Sequence, residues 1–453
     1  MVRTSAAMRG DPLGNPYIAG YDAAPKYLPE LSERAVAIAG RILRLNIVEI
    51  AAAFRVLQPA AIFLGVAWVS LALDLTPVMA ALAGVLTVLG PSMGMLHFHR
   101  AGLPAFLRYT RFLSAGFHTA VFVAVLGLVA LCWNRPNHFR AVTAGLAVGA
   151  VFYLPIFYWS VLWAGVIGLA ILSRAERRSC LLVMAGVSLV LALPMLASSV
   201  RTGANPLVQE TLHRAPTLTM LPGRHLEFGI APHLALCAAG AVVAWRLRRR
   251  AKVFLFPFAF FVASVPLLLQ NLITNRQIQA YHFVDALNPL WAIMAAAVLA
   301  QFRPKKVLVA SIFALVIGFG ASEQVVDYLR LRSIVGADEA AWAPDWRMPH
   351  TLEWLQESTP PGSVVMASSP VMEILPIFTH NKVYWADFAR QHVMPTGETD
   401  TRRLEARRWT ATEPLTYRVD YFLQAGAKCS QIAPSWIRFR DAGESTCVWQ
   451  RPK

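Results

Sequence analysis

The residues able to do chemistry fall into a few short polar stretches, each beside long apolar runs. The first, GDPLGNPYIAGYDAAPKYL at 10–28, offers Asp11, Asn15, Tyr21 and Asp22. A carboxylate in such a loop can take a proton from a hydroxyl, as a general base does. The second, MLHFHRAGLP at 95–104, offers His97, His99 and Arg100. These can bind a phosphate, hold a metal or simply meet headgroups, and His-x-His on one loop does not choose among them. The third, NLITNRQIQAYHFVDALNPLW at 271–291, crowds Asn275, Arg276, Gln277, Gln279, Tyr281, His282 and Asp285 into the joint between two apolar runs. That density of polar groups near lipid is costly. A guanidinium there is suited to a lipid phosphate; a hydrogen-bonded network that fixes the joint is the alternative. The 199–230 stretch adds Glu210, His213, Arg214, Arg224 and His225, and is long enough to fold over a site. There is no Walker A loop, no GxGxxG after a strand and no HExxH, so ATP-driven transport and soluble-type metallohydrolysis lose support.

The elements that must position these residues are membrane helices. From about Leu57 to about Gly320 the chain is a succession of apolar runs, several separated by Arg and Lys clusters. A run of ~20 apolar residues spans a bilayer as a helix, because lipid offers no partner for an open backbone. Hydrophobic residues make up 56% of the chain and charged residues 15%, against roughly a quarter charged in a soluble domain. About ten helices are expected, near 57–74, 76–94, 113–132, 141–155, 157–172, 180–198, 231–247, 253–273, 284–302 and 307–323. Pro155 interrupts one long run, giving either two short tilted helices or a span plus a re-entrant segment. The net charge of +16 sits mostly in clusters that follow apolar runs, such as RLRRRAK at 246–252. That placement fits the positive-inside rule and argues against nucleic acid as a partner. Arg135, Arg140, Arg174, Arg177, Arg178, Arg246 and the 303–306 cluster then face the cytoplasm, and both the first 56 residues and the tail after about 324 lie outside.

Three segments follow: an outer loop at 1–56, a helical bundle at 57–323 and an outer α/β domain at 324–453. In the first, LPELSERAVAIAGRILRLNIVEI puts Leu31, Ala35, Ile38, Ile42 and Leu43 on one helical face, opposite Glu33, Arg34, Arg41 and Arg44. Such a helix suits the membrane interface, or packs on the bundle as a surface helix. In the last, TLEWLQEST and VMEILPIFT read as helices. SVVMASS, NKVYWAD and VDYFLQAG read as strands, and an antiparallel pair surrounds AGES. Cys132, Cys180 and Cys237 read as inert core thiols. Cys429 and Cys447 form a disulfide if the tail is outside the cytoplasm, or remain two structural thiols. An N-terminus outside, with no apolar segment before it, leaves two readings. Either the first span translocates it, or a preceding helix belongs to the chain.

With these stretches in order, the chain resembles the integral-membrane glycosyltransferases of the GT-C superfamily. TNRQIQAYHFVDALNPLWAI is similar to the polar joint before a late span in such enzymes. HTLEWLQESTPPGSVVMASS and PVMEILPIFTHNKVYW look like the start of the outer domain in bacterial members, and DPLGNPYIAGYDAAPKYL looks like the distal part of their first outer loop. The resemblance implies a polyprenyl-phosphate-linked sugar donor and an envelope glycan, lipid or protein acceptor. It also implies work on the outer side of a bacterial-type inner (plasma) membrane, among membrane lipids. Asp11 and Asp22 are the nearby candidates for the catalytic acid it implies, and His97, His99, Arg100, Arg276, Gln277, Tyr281 and His282 remain, by their own chemistry, the candidates for phosphate binding. The resemblance fixes no cofactor and leaves room for a divalent metal. Members of that superfamily begin with a span followed by the acid, so the resemblance also suggests a missing first helix. Two other readings stay open: a non-catalytic component of envelope assembly with a membrane-protein partner, and a transporter or flippase. The latter usually shows repeats and broken mid-membrane helices, and no internal repeat is evident here.

Overall fold

The computed structural model describes residues 2–89 (without 12, 14–17 and 22–29), 115–214, 231–247, 252–270, 283–322 (without 303 and 306), 325–326, 329 and 348–450 (without 368, 387–393, 409–413, 426–428 and 430–431). Its helices run in chain order as α1 (Val2–Arg9), α2 (Leu31–Leu43), α3 (Ile47–Ala72), α4 (Pro77–Leu89), α5 (Ala115–Asn134), α6 (His138–Val151), α7 (Ile156–Leu172) and α8 (Ala175–Gly203). They continue as α9 (Pro206–Arg214), α10 (Ala231–Leu247), α11 (Leu255–Leu268), α12 (Phe283–Gln301), α13 (Val307–Ser322), α14 (Pro349–Ser358), α15 (Ser369–Phe378) and α16 (Thr396–Arg408). Strands β1 (Val364–Met366), β2 (Lys382–Val383), β3 (Tyr421–Ala425), β4 (Ile437–Asp441) and β5 (Thr446–Trp449) form one sheet. Two compact units emerge, one of residues 51–198 and 220–331, the other of 1–50, 199–219 and 332–453.

The first unit is a helical bundle. Within the described residues, each apolar run expected from the sequence overlaps one of its helices. Among the described residues, α3, α5 and α8 are long and apolar enough to cross a membrane, and several others are shorter apolar helices. Away from the charged residues toward their ends, these helices carry apolar residues on all sides, as a helix packed on one side and facing lipid on the other requires. Pro155 ends the turn at 152–154 and starts α7, so the 141–172 run is two helices. Close packing depends on small residues. A Cβ on Gly165 of α7 would overlap the Phe260 ring of α11. Cys132, Cys180 and Cys237 are buried free thiols.

The second unit joins both ends of the chain. Its sheet has the order β2-β1-β3-β5-β4. β1 lies parallel to β2 and β3, while β5 is antiparallel to β3 and β4. The crossover from β1 to β2 runs through α15, as a parallel pair demands. Trp385, Trp449, Tyr384 and Phe422 fill the core, and Phe422 stacks on Trp449 at 4.3 Å. Helix α1 docks here: Ser5 Oγ donates to the Ile377 carbonyl at 2.6 Å and Arg9 Nη2 to that of Pro376 at 3.3 Å. Arg41 of α2 caps α1 by donating to the Ala7 and Met8 carbonyls at 2.7 and 2.8 Å. Helix α2 turns Ser32, Val36, Ala37 and Gly40 inward. It leaves Leu31, Ile38, Ile42 and Leu43 exposed, Ile42 at 75%, so the bulky stripe expected from the sequence faces outward.

Cys429 and Cys447 are bonded, with Cα atoms 5.9 Å apart, which fits disulfide geometry. The bond ties the segment after β3 to the buried strand β5 across a sequence separation of 18. Replacing Cys429 with Ser is expected to lower the stability of this unit by about 2–4 kcal/mol. Thermal unfolding with and without reductant checks it: the wild type should lose stability on reduction and the variant should not.

Candidate functional site

Hydrogen bonds sort the bundle into a basic end and a polar end. At the basic end, Asn134 Nδ2 donates to the Ala72 carbonyl at 3.1 Å and to Asp74 Oδ2 at 2.9 Å. Trp133 Nε1 donates to Ser173 Oγ at 3.1 Å, and Arg178 Nη2 to the Ser173 carbonyl at 3.1 Å. Arg177 lies over the Trp133 ring, and Arg140 donates to the Arg135 carbonyl. Phe256 meets Trp133 at 5.7 Å, and Trp245 meets Phe258 at 5.2 Å. Those contacts bring the start of α11, the end of α10 and Arg246 to the same end. The opposite end buries uncharged and ionisable polar groups. Thr119 and Tyr158 hydroxyls are 3.2 Å apart, with the His118 ring 5.6 Å from that of Tyr158. Asn288 Nδ2 donates to the Thr87 carbonyl at 3.2 Å, and Asp285 is 3% exposed in the first turn of α12. Phe157 packs edge-on to Phe283 at 5.3 Å, which places the starts of α7 and α12 together.

Between these ends runs an apolar groove of about 880 Å³, within the size range of ligand sites. One complete face of α7 lines it, at 156, 159, 160, 163, 164, 167, 168, 171 and 172, with one face of α11 from Phe258 to Leu267 and Gln270 just past its end. The spacing by three and four is a single helical stripe. Trp245 closes it near the basic end and Phe283 at the polar end. Apart from Ser160 and Gln270, the lining is apolar or aromatic, and the Ser160 hydroxyl is already satisfied by the Ile156 carbonyl at 2.6 Å. Gln270 and Phe283, which flank the 271–282 segment, both stand at the groove's polar end.

In the other unit, Arg402 organises the polar chemistry. It is 4% exposed. Its Nη2 pairs with Glu398 Oε1 at 2.6 Å, and its Nη1 donates to the carbonyls of Ala19 at 3.0 Å and Tyr384 at 3.3 Å. The rings of Tyr417, Tyr384 and Tyr21 surround the guanidinium at 4.5, 5.4 and 5.8 Å. Gly20 takes φ +86° beside it, a conformation that disfavours a side chain. The Tyr21 hydroxyl donates to Glu398, and that of Tyr384 to Glu405. Burial first, and then these carboxylates, push both phenols above the usual tyrosine range. Burial raises Glu405, but hydrogen bonds from Thr416 and Tyr384 outweigh it and leave this carboxyl below its ordinary value. Ile18 adds a parallel bridge to Val383 at the edge of β2.

Among the described residues, one group has ligand atoms close enough for a metal: His350, Asp441 and Glu444. Its oxygens are already engaged. Glu444 accepts the backbone N–H groups of His350 and Thr351 at 2.7 and 3.0 Å, capping α14. Asp441 accepts the Glu444 N–H at 2.8 Å and faces His350 Nδ1 at 3.0 Å. That hydrogen bond, with the Glu444 charge behind it, raises the His350 pKa, and the Glu444 N–H followed by His350 lowers that of Asp441. The cluster reads as a helix cap, and the residues do not fit a divalent ion.

Of the residues named from the sequence, Asp11 is described: its carboxylate accepts from Arg9 Nε at 2.9 Å. Tyr21 belongs to the Arg402 cluster, and Glu210 accepts the Thr396 N–H at 2.5 Å. Asp22, His97, His99, Arg100, Arg276, Gln277, Tyr281 and His282 lie outside the described residues. Sequence reasoning did not single out His118, Tyr158, Asn288 or Arg402. An ionisable residue inside an apolar run, as His118 is, was the available signal.

No protein-family model matches this chain, and no curated protein is similar to it by sequence. Solved structures do resemble it. ArnT from Cupriavidus metallidurans in the apo state is similar at TM-score 0.54 and 13% identity, covering 100% of this chain and 94% of that one. The same enzyme bound to undecaprenyl phosphate is similar at TM-score 0.52 and 13% identity, covering 100% of this chain and 93% of that one. The Archaeoglobus fulgidus oligosaccharyltransferase gives TM-score 0.45 at 14% identity, and this chain, 93% of it aligned, spans 64% of that chain's length. The chain therefore shares the fold of the two ArnT structures.

Arg402→Met leaves Glu398 without its buried cation, and is expected to destabilise this unit by about 3–5 kcal/mol. Amide exchange checks it: the Ala19 N–H, bound to the Val383 carbonyl at 3.3 Å, should lose protection. Unchanged protection would remove Arg402 from this role.

Proposed function

We propose that this chain is a membrane glycosyltransferase that takes a sugar from a polyprenyl-phosphate donor and passes it to an envelope acceptor on the outer side of the membrane. The groove carries the proposal: an apolar channel whose polar end is bounded by Gln270 and Phe283, the residues that flank 271–282 in sequence, suits a lipid tail with a charged head. Its lining offers dispersion and hydrophobic contact and almost no hydrogen bonds, which is what a hydrocarbon tail needs. The joint at 271–282 supplies Arg276, Gln277, Tyr281 and His282 for the phosphate, and His97, His99 and Arg100 are further candidates. The fold shared with ArnT agrees, and the ArnT structure holds undecaprenyl phosphate.

The reaction then needs little else. A carboxylate takes the proton of the acceptor hydroxyl as its oxygen attacks the anomeric carbon. The bond from that carbon to the phosphate oxygen breaks, and the polyprenyl phosphate leaves, its charge held by Arg and His groups. Asp22 and Asp11 are the candidate bases. Asp11 would first have to give up its pair with Arg9, so Asp22 is the stronger choice. No step is assigned to a metal.

Topology fits the same reading. The arginine-rich end of the bundle belongs in the cytoplasm, which puts the polar end outside and makes the apolar helices a multi-pass bundle of about ten spans. The Cys429–Cys447 bond is at home in an oxidising compartment. The outward apolar stripe of α2 suits the outer interface.

Transfer of labelled sugar from a polyprenyl-phosphate donor into envelope material tests the proposal. Asp22→Asn is expected to lower the rate by about 100-fold or more, and Arg276→Ala by about 10- to 100-fold. Full transfer in both variants and in Asp11→Asn would overturn the site assignment. Sugar-independent flux of the donor in proteoliposomes, with no transfer by the wild type, would overturn the reaction.

A further inference from the structure

The basic end of the groove has a mouth of its own. There α7 finishes at Leu172 and α10 brings up Trp245, and both line the groove. Arginines stand next to both: Arg246 follows Trp245 directly, and Arg174 follows Ser173, the residue that ends α7. Other arginines here are committed. Arg178 donates to the Ala170 and Ser173 carbonyls at 3.2 and 3.1 Å, which closes the last turn of α7. Arg177 lies over the Trp133 ring at 5.4 Å. Arg174 and Arg246 are exposed, and among the described residues their side chains have no hydrogen bond or ion pair. The acids described at this end are Asp74, which accepts from Asn134, and Glu176 in the first turn of α8, so positive charge prevails. The adjoining half of the groove is a slot for hydrocarbon. From Ala164 to Leu172 the lining residues of α7 carry no polar side chain, and neither do Phe258, Ala259 and Val262 of α11. Ser160 and Gln270 belong to the other half. That stretch of α7 is about 12 Å long at 1.5 Å per residue, which suits the ~15 Å of hydrocarbon in one leaflet.

We infer that the basic mouth binds an anionic phospholipid from the leaflet at that end, its phosphate held by Arg174 and Arg246 and one acyl chain lying in the adjoining half of the groove. The inference goes beyond sugar transfer and does not depend on the donor. Charge sets the class of lipid. Two uncommitted guanidiniums offer paired N–H donors to phosphate oxygens, and a headgroup of net negative charge gains more from them than a zwitterionic one. The apolar slot sets the rest, since a water-soluble phosphate meets the arginines and leaves the hydrocarbon surface bare. Trp245, 45% exposed, is the kind of side chain that stands at headgroup level, with its ring against the chain. The polyprenyl tail proposed above enters from the opposite end. Where its far end reaches the basic half it displaces the acyl chain, so the phospholipid fills that half whenever the carrier is absent.

Native mass spectrometry of the full chain in detergent tests the site, with dioleoyl phosphatidylglycerol and dioleoyl phosphatidylcholine titrated in turn and glycerol 3-phosphate as a soluble competitor. Phosphatidylglycerol is expected to bind about tenfold or more tightly than phosphatidylcholine. Arg174→Gln and Arg246→Gln should each weaken it about fivefold, the equivalent of ~1 kcal/mol for a basic residue near a membrane surface. Arg135→Gln, at the same end but beside no lining residue, should change it by less than about twofold. Phosphatidylcholine binding that persists in these surface variants shows that they are folded. Val262→Trp leaves every charge in place and narrows the slot at a lining residue that is 46% exposed. It should weaken phosphatidylglycerol about tenfold. Equal binding of the two phospholipids, or the same loss in Arg135→Gln as in Arg174→Gln, would overturn the site and leave a diffuse basic surface. Unchanged phosphatidylglycerol binding in Val262→Trp, or full competition by glycerol 3-phosphate, would overturn the seat in the groove. None of these outcomes bears on sugar transfer, which the labelled-sugar assay reads separately.

Discussion

Hydrocarbon cannot hydrogen-bond, and the bundle is arranged around that constraint. Each apolar segment closes its own backbone bonds by forming a helix, and the polar side chains are driven to the helix ends. Asn134, Ser173 and the arginines gather at one end. Thr119, Tyr158, Asn288 and Asp285 gather at the other. What remains between is a wall of apolar side chains whose only variable is shape. Where Gly165 lets α7 press against Phe260 of α11, the neighbouring small residues open a groove instead of filling it. A site in such a bundle is therefore a hollow between helices with a polar group at its end, and the proposed donor has the same two parts.

The other unit solves a different problem. Its sheet is small, and its edge strand β2 spans only Lys382–Val383. The N-terminal segment completes it through the Ile18 bridge, the α1 contacts to α15 and the buried guanidinium of Arg402. Burying a charge is costly unless it is paired. Here Glu398, two backbone carbonyls and three tyrosine rings surround it. The arrangement holds residues 18–21 against the C-terminal domain, next in sequence to the candidate base Asp22.

Much of this was legible in the sequence for physical reasons. Long apolar runs name membrane helices, and the strands around SVVMASS, VDYFLQAG and AGES alternate or stay apolar as buried strands do. Helix α16 was not legible. TGETDTRRLEARR is polar on every side, so it carries no hydrophobic period, and Arg402 holds it through contacts with residues far away in sequence. The groove was hidden for the opposite reason. In α7 almost every residue is apolar, so the stripe from Ile156 to Leu172 does not stand out until α11 is placed beside it. The polar joint at 271–282 was visible because charge in an apolar context is rare. The pairing of Cys429 with Cys447 stayed one of two alternatives, since sequence alone cannot bring two thiols within bonding distance.

The central claim is that the tail of a lipid carrier lies along α7 and α11. Photo-crosslinking tests it most directly, with a polyprenyl phosphate that bears its reactive group at the far end of the tail, followed by mapping of the labelled peptides. Labelling is expected near the basic end of the groove, at Ile171, Leu172, Trp245 and Phe258. Labelling spread over the lipid-facing residues of α3 and α8, with none in the groove, would contradict the account.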